Sequence, residues 1–255
     1  MKQTNINHAD FLLDVYERFG KDSQAAIDFV RRNMADLNEN PENRITVDLG
    51  SVRPEFESEP QAVDLGLPSG TLWCDRNVGA KSPYDYGAFF SWGNTEPHYP
   101  KQNMDWGDDD DAFDYRFNSD NYENSEGYKL EGDIDLAHDA ARVNMGEPWQ
   151  IPKSEQFQEL YDNCTWERKI INNVCGYLVT SKINGNSVFF ACSGYGYGSS
   201  WNYRGSHGYY WSASFFSAVF ARCLIFYSGG VYPQYNLLRY YGFAVRPVQN
   251  IVPKK

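Results

Sequence analysis

Apolar residues recur at helical spacing over the first forty positions. Phe11, Leu12, Val15, Tyr16 and Phe19 fall on one face, and Gly20 ends the run. Asp22 or Ser23 can cap a second helix, with Ala26, Phe29, Val30, Met34 and Leu37 as its stripe. Residues 1–45 therefore read as a small helical hairpin, too short to stand alone, whose apolar faces must dock on a core, a second copy or a larger assembly. A polar stretch holding Pro54 and Pro60 follows, so 46–61 reads as a linker. From Ala62 the pattern changes to short strand-like runs broken by Gly, Pro, Asn and Asp. Two helical patches interrupt them, Asp135 to Val143 with Leu136, Ala140 and Val143 on a face, and Ser154 to Asn163 with Phe157, Leu160 and Tyr161. The class is α+β, with short antiparallel strands, two helices and long loops over 62–250.

Near the C-terminus the periodicity has two readings. In Cys223–Tyr227, Leu224 and Phe226 share one face while Cys223, Ile225 and Tyr227 share the other, and both faces are apolar. Either the strand is buried on both sides or one face is displayed; the turn-rich, aperiodic stretch Tyr232–Tyr241 that follows favours display.

Composition sharpens this picture. Aromatics make up 16% of the chain, and Tyr and Trp serve both cores and binding surfaces. A formal net charge of −11 argues against nucleic acid, which needs a basic footprint. No apolar run is long enough to insert in a membrane, and the N-terminus lacks the apolar core of a signal peptide, which leaves localisation open. Five cysteines with no C-x-x-C spacing read as free thiols rather than a disulfide or zinc framework. Asp108–Asp111 lacks calcium-loop spacing and reads as a solvated acidic insertion. Gly194–Gly198 resembles a phosphate cradle but has neither the following helix nor the lysine, and reads as a flexible aromatic loop. No catalytic constellation, cofactor or metal site is evident.

Several separated motifs carry a resemblance. They are Val63-Asp64-Leu65-Gly66-Leu67-Pro68-Ser69-Gly70-Thr71-Leu72-Trp73, Asn77-Val78-Gly79-Ala80, Ser91-Trp92-Gly93, Thr180-Ser181-Lys182, Gly208-Tyr209-Tyr210-Trp211-Ser212 and Gly242-Phe243-Ala244-Val245-Arg246-Pro247-Val248. Together they resemble the paralogous domain of Bacteroidetes and Fibrobacter genomes, which has a C-type-lectin-type fold; the likeness spans about Ala62 to Val248. Within that family the last forty residues are similar to variable proteins of diversity-generating retroelements, in which a reverse transcriptase misreads template adenines and rewrites the 3′ end of a target gene. The resemblance implies scaffold residues at Tyr210, Trp211, Ser212, Leu224, Phe226, Ser228, Gly229, Val231, Pro233, Arg239, Gly242 and Phe243, with variable positions between them over 212–241.

Randomising both adenines of an AAY codon gives NNY, which cannot encode Lys, Glu, Gln, Met or Trp. From Ser212 to Tyr241 there is no Lys, Glu, Met or Trp, and Gln234 is the exception. The expected contact set is Phe215, Phe216, Val219, Phe220, Ile225, Tyr227, Tyr232, Tyr235, Leu237, Leu238, Tyr240 and Tyr241, with Ser217 and Asn236 as polar contacts. Five such aromatics fully shown would expose roughly 750 Å². The expected function is recognition of a protein or cell-surface ligand without catalysis, the family placing such proteins on phage or prophage tails. The alternative is a surface or adhesin subunit using the patch between copies. An enzyme of the formylglycine-generating type shares the fold class, but no counterpart to its cysteine pair is recognisable.

Overall fold

The computed structural model describes residues 59–100 and 117–250. The expected helical hairpin, almost all of the linker and the acidic run Asp108–Asp111 lie outside the described residues.

The first described strand, β1 (Ala62–Asp64), returns through a Gly66–Gly70 turn as β2 (Leu72–Cys74), and the turn tucks Leu65 and Leu67 into the core. Both glycines take positive φ, 64° and 73°, which costs them nothing for lack of a Cβ. The last strand, β13 (Val248–Gln249), pairs with β2, so the two ends of the described domain share one sheet.

A five-stranded sheet forms the centre. It runs β11 (Gly230–Leu238), β10 (Phe220–Tyr227), β9 (Gly208–Phe215), β12 (Phe243–Ala244), β3 (Phe89–Phe90), and only the β12–β9 pair is parallel. A second sheet holds β4 (Cys164–Ile171), β5 (Val174–Ser181) and β6 (Ser187–Ala191). The tight β4–β5 turn uses Asn172 and Asn173 at φ 49° and 63°; a two-residue hairpin that follows the strand twist needs both central residues left-handed, which Asn tolerates.

Two packed layers flank the central sheet. On one face Tyr210, Leu224 and Phe226 meet Trp73, Phe157, Leu160, Tyr177 and Phe190; on the other, Tyr209, Trp211, Cys223, Ile225 and Phe243 meet Trp92, Trp149 and Ile151. Strand β10 is thus buried on both faces. Its unbroken apolar run is the mark of a central strand, and the expectation that Ile225 is displayed is corrected.

Helix α1 (Ser119–Glu123) is capped by Asn118, whose side chain accepts from the Asn121 N–H at 2.8 Å. The patch expected as a helix from Asp135 begins later, as α2 (Ala140–Met145), with Leu136 and Val143 exposed and Ala140 and Ala141 buried. The reason is local competition: the Asp135 carboxylate accepts from the Ala137 and His138 N–H groups, forming a turn that holds the chain out of the helix. Asp139 caps the helix instead, accepting from Arg142 N, while its other oxygen takes the Ile151 N–H. Helix α3 (Ser154–Asn163) has the expected bounds; Phe157 and Leu160 are buried, and Tyr161 is exposed. It packs against β9, β10 and β11.

Candidate functional site

The hairpin of β10 and β11 carries most of the expected contact residues, and its register decides where they point. Cys223 opposes Tyr235 and Ile225 opposes Tyr232, so Leu224 alone faces two residues, Pro233 and Gln234. Tyr232 and Tyr235, three apart, would lie on opposite faces of a regular strand. The bulge restores them to one face, their rings 6.3 Å apart. Pro233 has no N–H to offer, and a bulge on an edge strand is where that costs least. The stretch expected as an aperiodic loop is therefore a bulged strand. At the Ser228–Gly229 turn, a Cβ on Gly229 would come within 2.3 Å of the Tyr227 ring, so the glycine lets that ring lie over the turn.

From this hairpin the rings form a continuous series. Tyr235 contacts Tyr232; Tyr232 stacks on Tyr227 at 5.6 Å, and Tyr227 stacks on His207 at 4.8 Å. His207 meets Tyr203 at 4.6 Å, Tyr203 meets Tyr195 at 6.0 Å, and Tyr195 meets Tyr241 at 5.1 Å. Tyr240 and Tyr197 complete it, each in ring contact with Tyr241. Tyr235, Tyr232, Tyr203 and Tyr197 are 48%, 38%, 56% and 49% exposed. Tyr227, Tyr240 and Tyr241 are half-buried. Beneath them Tyr195 rests on Tyr209 and Phe243, which continue into the second core layer.

Four of these nine residues, Tyr195, Tyr197, Tyr203 and His207, were not foreseen. They come from the Gly194–Gly198 stretch and its continuation, which is ordered as a hairpin of β7 (Tyr195–Tyr197) and β8 (Ser200–Asn202) rather than a flexible loop. Reciprocal hydrogen bonds between Gly196 and Gly242, at 2.8 and 2.9 Å, hold this hairpin beside Tyr240 and Tyr241. The signal was present in the alternation of Tyr195 and Tyr197 with glycine, which sets both tyrosines on one face of a strand.

Burial holds the Tyr241 hydroxyl up at about 12, and the hydrogen bond between the Tyr227 and Tyr232 hydroxyls, 3.2 Å apart, raises Tyr227. Burial pushes His207 below its ordinary value of 6.5. Its Nδ1 lies 2.9 Å from the Ser206 hydroxyl.

The remaining expected residues separate from this face. Phe216, Val219 and Phe220 are exposed on the β9–β10 turn, where the Arg222 guanidinium covers the Phe216 ring at 4.6 Å. Phe220 opposes Leu238, while the neighbouring pair Ala221 and Leu237 faces the second core layer; Phe220 and Leu238 therefore point the other way. The turn is held from below by Arg239, buried over Trp92, which donates to the carbonyls of Ser217, Ala218, Gly127 and Leu130 and to the Tyr122 hydroxyl. Phe215 packs on Trp92. The two expected polar contacts are internal: Ser217 Oγ accepts from the Val219 and Phe220 N–H groups, and Asn236 Oδ1 is buried with no hydrogen-bond partner.

A separate cavity of about 420 Å³ is lined by Ser91, Asn94, Glu96, His98, Phe117, Asn121, Tyr122 and Ser125 and shares no residue with the ring series. Among the described residues no group of three or more His, Cys, Asp or Glu could hold a metal, and no helix is long and apolar enough to cross a membrane. Comparison of the chain with protein-family models, curated proteins and solved structures returned no match.

Proposed function

We propose that this is a binding protein whose partner rests on the ring series running from Tyr235 through His207 to Tyr197. The observation that carries the reading is the contiguity of nine aromatic side chains, supplied by two hairpins, β7–β8 and β10–β11, and the turns that follow them. The four most exposed tyrosines show roughly 300–500 Å² between them, less than the sequence led us to expect and within the range of the largest patch on ordinary monomers, which is itself often functional. Tyr227 lies nearly parallel to both His207 and Tyr232, at 20° and 21°. Its faces are taken by neighbours, so ring edges and hydroxyls are what it offers a partner. That suits a protein surface of mixed polarity, as in tyrosine-rich paratopes, better than a sugar, which stacks on a free face.

The finer reading is a diversified protein on a C-type-lectin-type scaffold. Its support is the shared sheet of the first and last strands, the placement of Tyr210, Trp211, Leu224, Phe226 and Phe243 in the core, and the exposure of Tyr232 and Tyr235 between scaffold positions. Two experiments test it. Labelled protein titrated onto intact bacterial cells should bind saturably to some strain, and Y232A/Y235A should bind at least tenfold more weakly; equal binding would sink the assigned surface. Sequencing around the gene should find a near-copy of its 3′ coding segment, differing mainly at adenines, beside a reverse transcriptase gene. Without one, diversification falls while binding stands.

A further inference from the structure

All five cysteines are buried free thiols, and two of them are neighbours. Cys175 and Cys192 lie directly opposite each other where β5 and β6 meet: Gly176 pairs with Ala191, and the Cys192 N–H donates to the Cys175 carbonyl at 2.8 Å. Opposed residues on antiparallel strands share a face, so the side chains run alongside, with the sulfurs 3.8 Å apart. Directly opposed residues of antiparallel strands have Cα atoms about 4.5–5.5 Å apart, inside the window of roughly 4.4–6.8 Å that a disulfide requires. Closing the gap to about 2 Å needs rotation of the two side chains and no movement of the strands.

We propose that Cys175 and Cys192 form a redox-modification site, at which hydrogen peroxide converts two thiols into one cross-strand disulfide. Cys175, at 8% exposed, is the more accessible residue of the two and is assigned the first attack; Cys192 is fully enclosed. The Cys175 thiolate attacks one peroxide oxygen, the O–O bond breaks, and the departing oxygen leaves as hydroxide and takes up a proton to become water. The resulting sulfenic acid is then attacked by the Cys192 sulfur, which loses its proton; the S–S bond forms and the second oxygen leaves as water. Two thiols are oxidised by two electrons, and one peroxide is reduced to two waters. Burial pushes the Cys192 thiol up, which suits the resolving partner, whose attack is intramolecular, better than the first nucleophile.

The position gives the bond a consequence. Cys192 lies at the base of the segment that carries Tyr195, Tyr203 and His207, and its carbonyl accepts from the Gly205 N–H at 2.8 Å. A disulfide there would fasten the root of that segment to the central strand of the β4–β5–β6 sheet.

The test uses the full chain in native buffer with hydrogen peroxide, followed by catalase, denaturation, alkylation and peptide mapping. The expected product is one cross-linked peptide pair joining Cys175 to Cys192, with Cys74, Cys164 and Cys223 alkylated, and it should revert with dithiothreitol. C223A should keep the cross-link and C192A should abolish it. If C192A does not fold, the wild-type map and C223A decide. Five alkylated thiols after native treatment, a link from Cys175 to another cysteine, or loss of the link in C223A would each overturn the proposal.

Discussion

Tyr232 and Phe226 both lie in the β10–β11 hairpin, and side-chain chemistry alone does not tell them apart. Phe226 is fully enclosed, with Trp166, Tyr177, Phe190 and Tyr210 around it. Phe226→Ala should cost about 3–5 kcal/mol from lost transfer energy and the cavity left behind. Tyr232→Ser and Tyr235→Ser should each stay within about 0.5 kcal/mol of wild type. Tyr227→Ser should fall between, because its ring packs on the second core layer and on His207. Thermal melts of the four variants check the order; a Tyr235→Ser loss as large as that of Phe226→Ala would make the displayed face structural. His207 supplies a second residue-level outcome. Its folded-state value lies below its unfolded one, so the unfolded chain binds more protons in between and stability rises with pH there. The His207 contribution is complete above its ordinary value of 6.5 and is lost on acidification below it. His207→Phe should keep the stack and flatten that part of the Tm against pH curve between about pH 7 and 5.

At the scale of elements, what could be read from the chain depended on how local its cause was. Helix α3 was legible because Phe157 and Leu160 repeat at helical spacing and nothing nearby competes. Helix α2 was misjudged because a single carboxylate, Asp135, captures two N–H groups and delays the start by five residues. The displayed tyrosines of β11 were named correctly, but for the wrong reason: period 2 is broken there by the bulge, and a bulge is set by the partner strand. Ile225 was misplaced because the aperiodic stretch Tyr232–Tyr241 weighed for display against the apolar run itself, which marks a strand enclosed on both sides. Four of the nine rings were missed because Tyr195 reaches Tyr241, and His207 reaches Tyr227, only through packing distant in sequence. Two outcomes belong to this scale. Deleting Gln234 should remove the bulge and leave Tyr232 and Tyr235 two apart on a regular strand, still on one face, so NMR contacts between their rings should persist while β10 stays paired; loss of those contacts would refute the parity argument. Arg239→Met should cost at least about 3 kcal/mol in urea titration, since it strips hydrogen bonds at once from the buried Gly127 carbonyl and from the partly buried carbonyls of Ala218 and Leu130. A loss below about 1 kcal/mol would mean the β9–β10 turn holds without it.

The domain taken whole is closed by contacts between residues far apart in the chain. Among the described residues, every member of the two main core clusters comes from Val63 to Val248, so a chain beginning at Glu59 should fold with a cooperative melt and a full set of dispersed amide signals. A molten product would show that the earlier residues complete the core. Mass measurement in solution bears on use of the patch: a monomer keeps it free for another molecule, whereas a dimer dissociated by Tyr232→Ala would favour contact between copies. The pairing of β13 with β2 also governs timing. Val248 meets Trp73, so a ribosome must make nearly the whole domain before its first sheet can shut. A copy cut short within 212–241 would lack β12 and β13, stay open, and be exposed to proteases. A change anywhere in that segment is therefore inspected by the act of folding, since only a chain that reaches β13 can close the sheet.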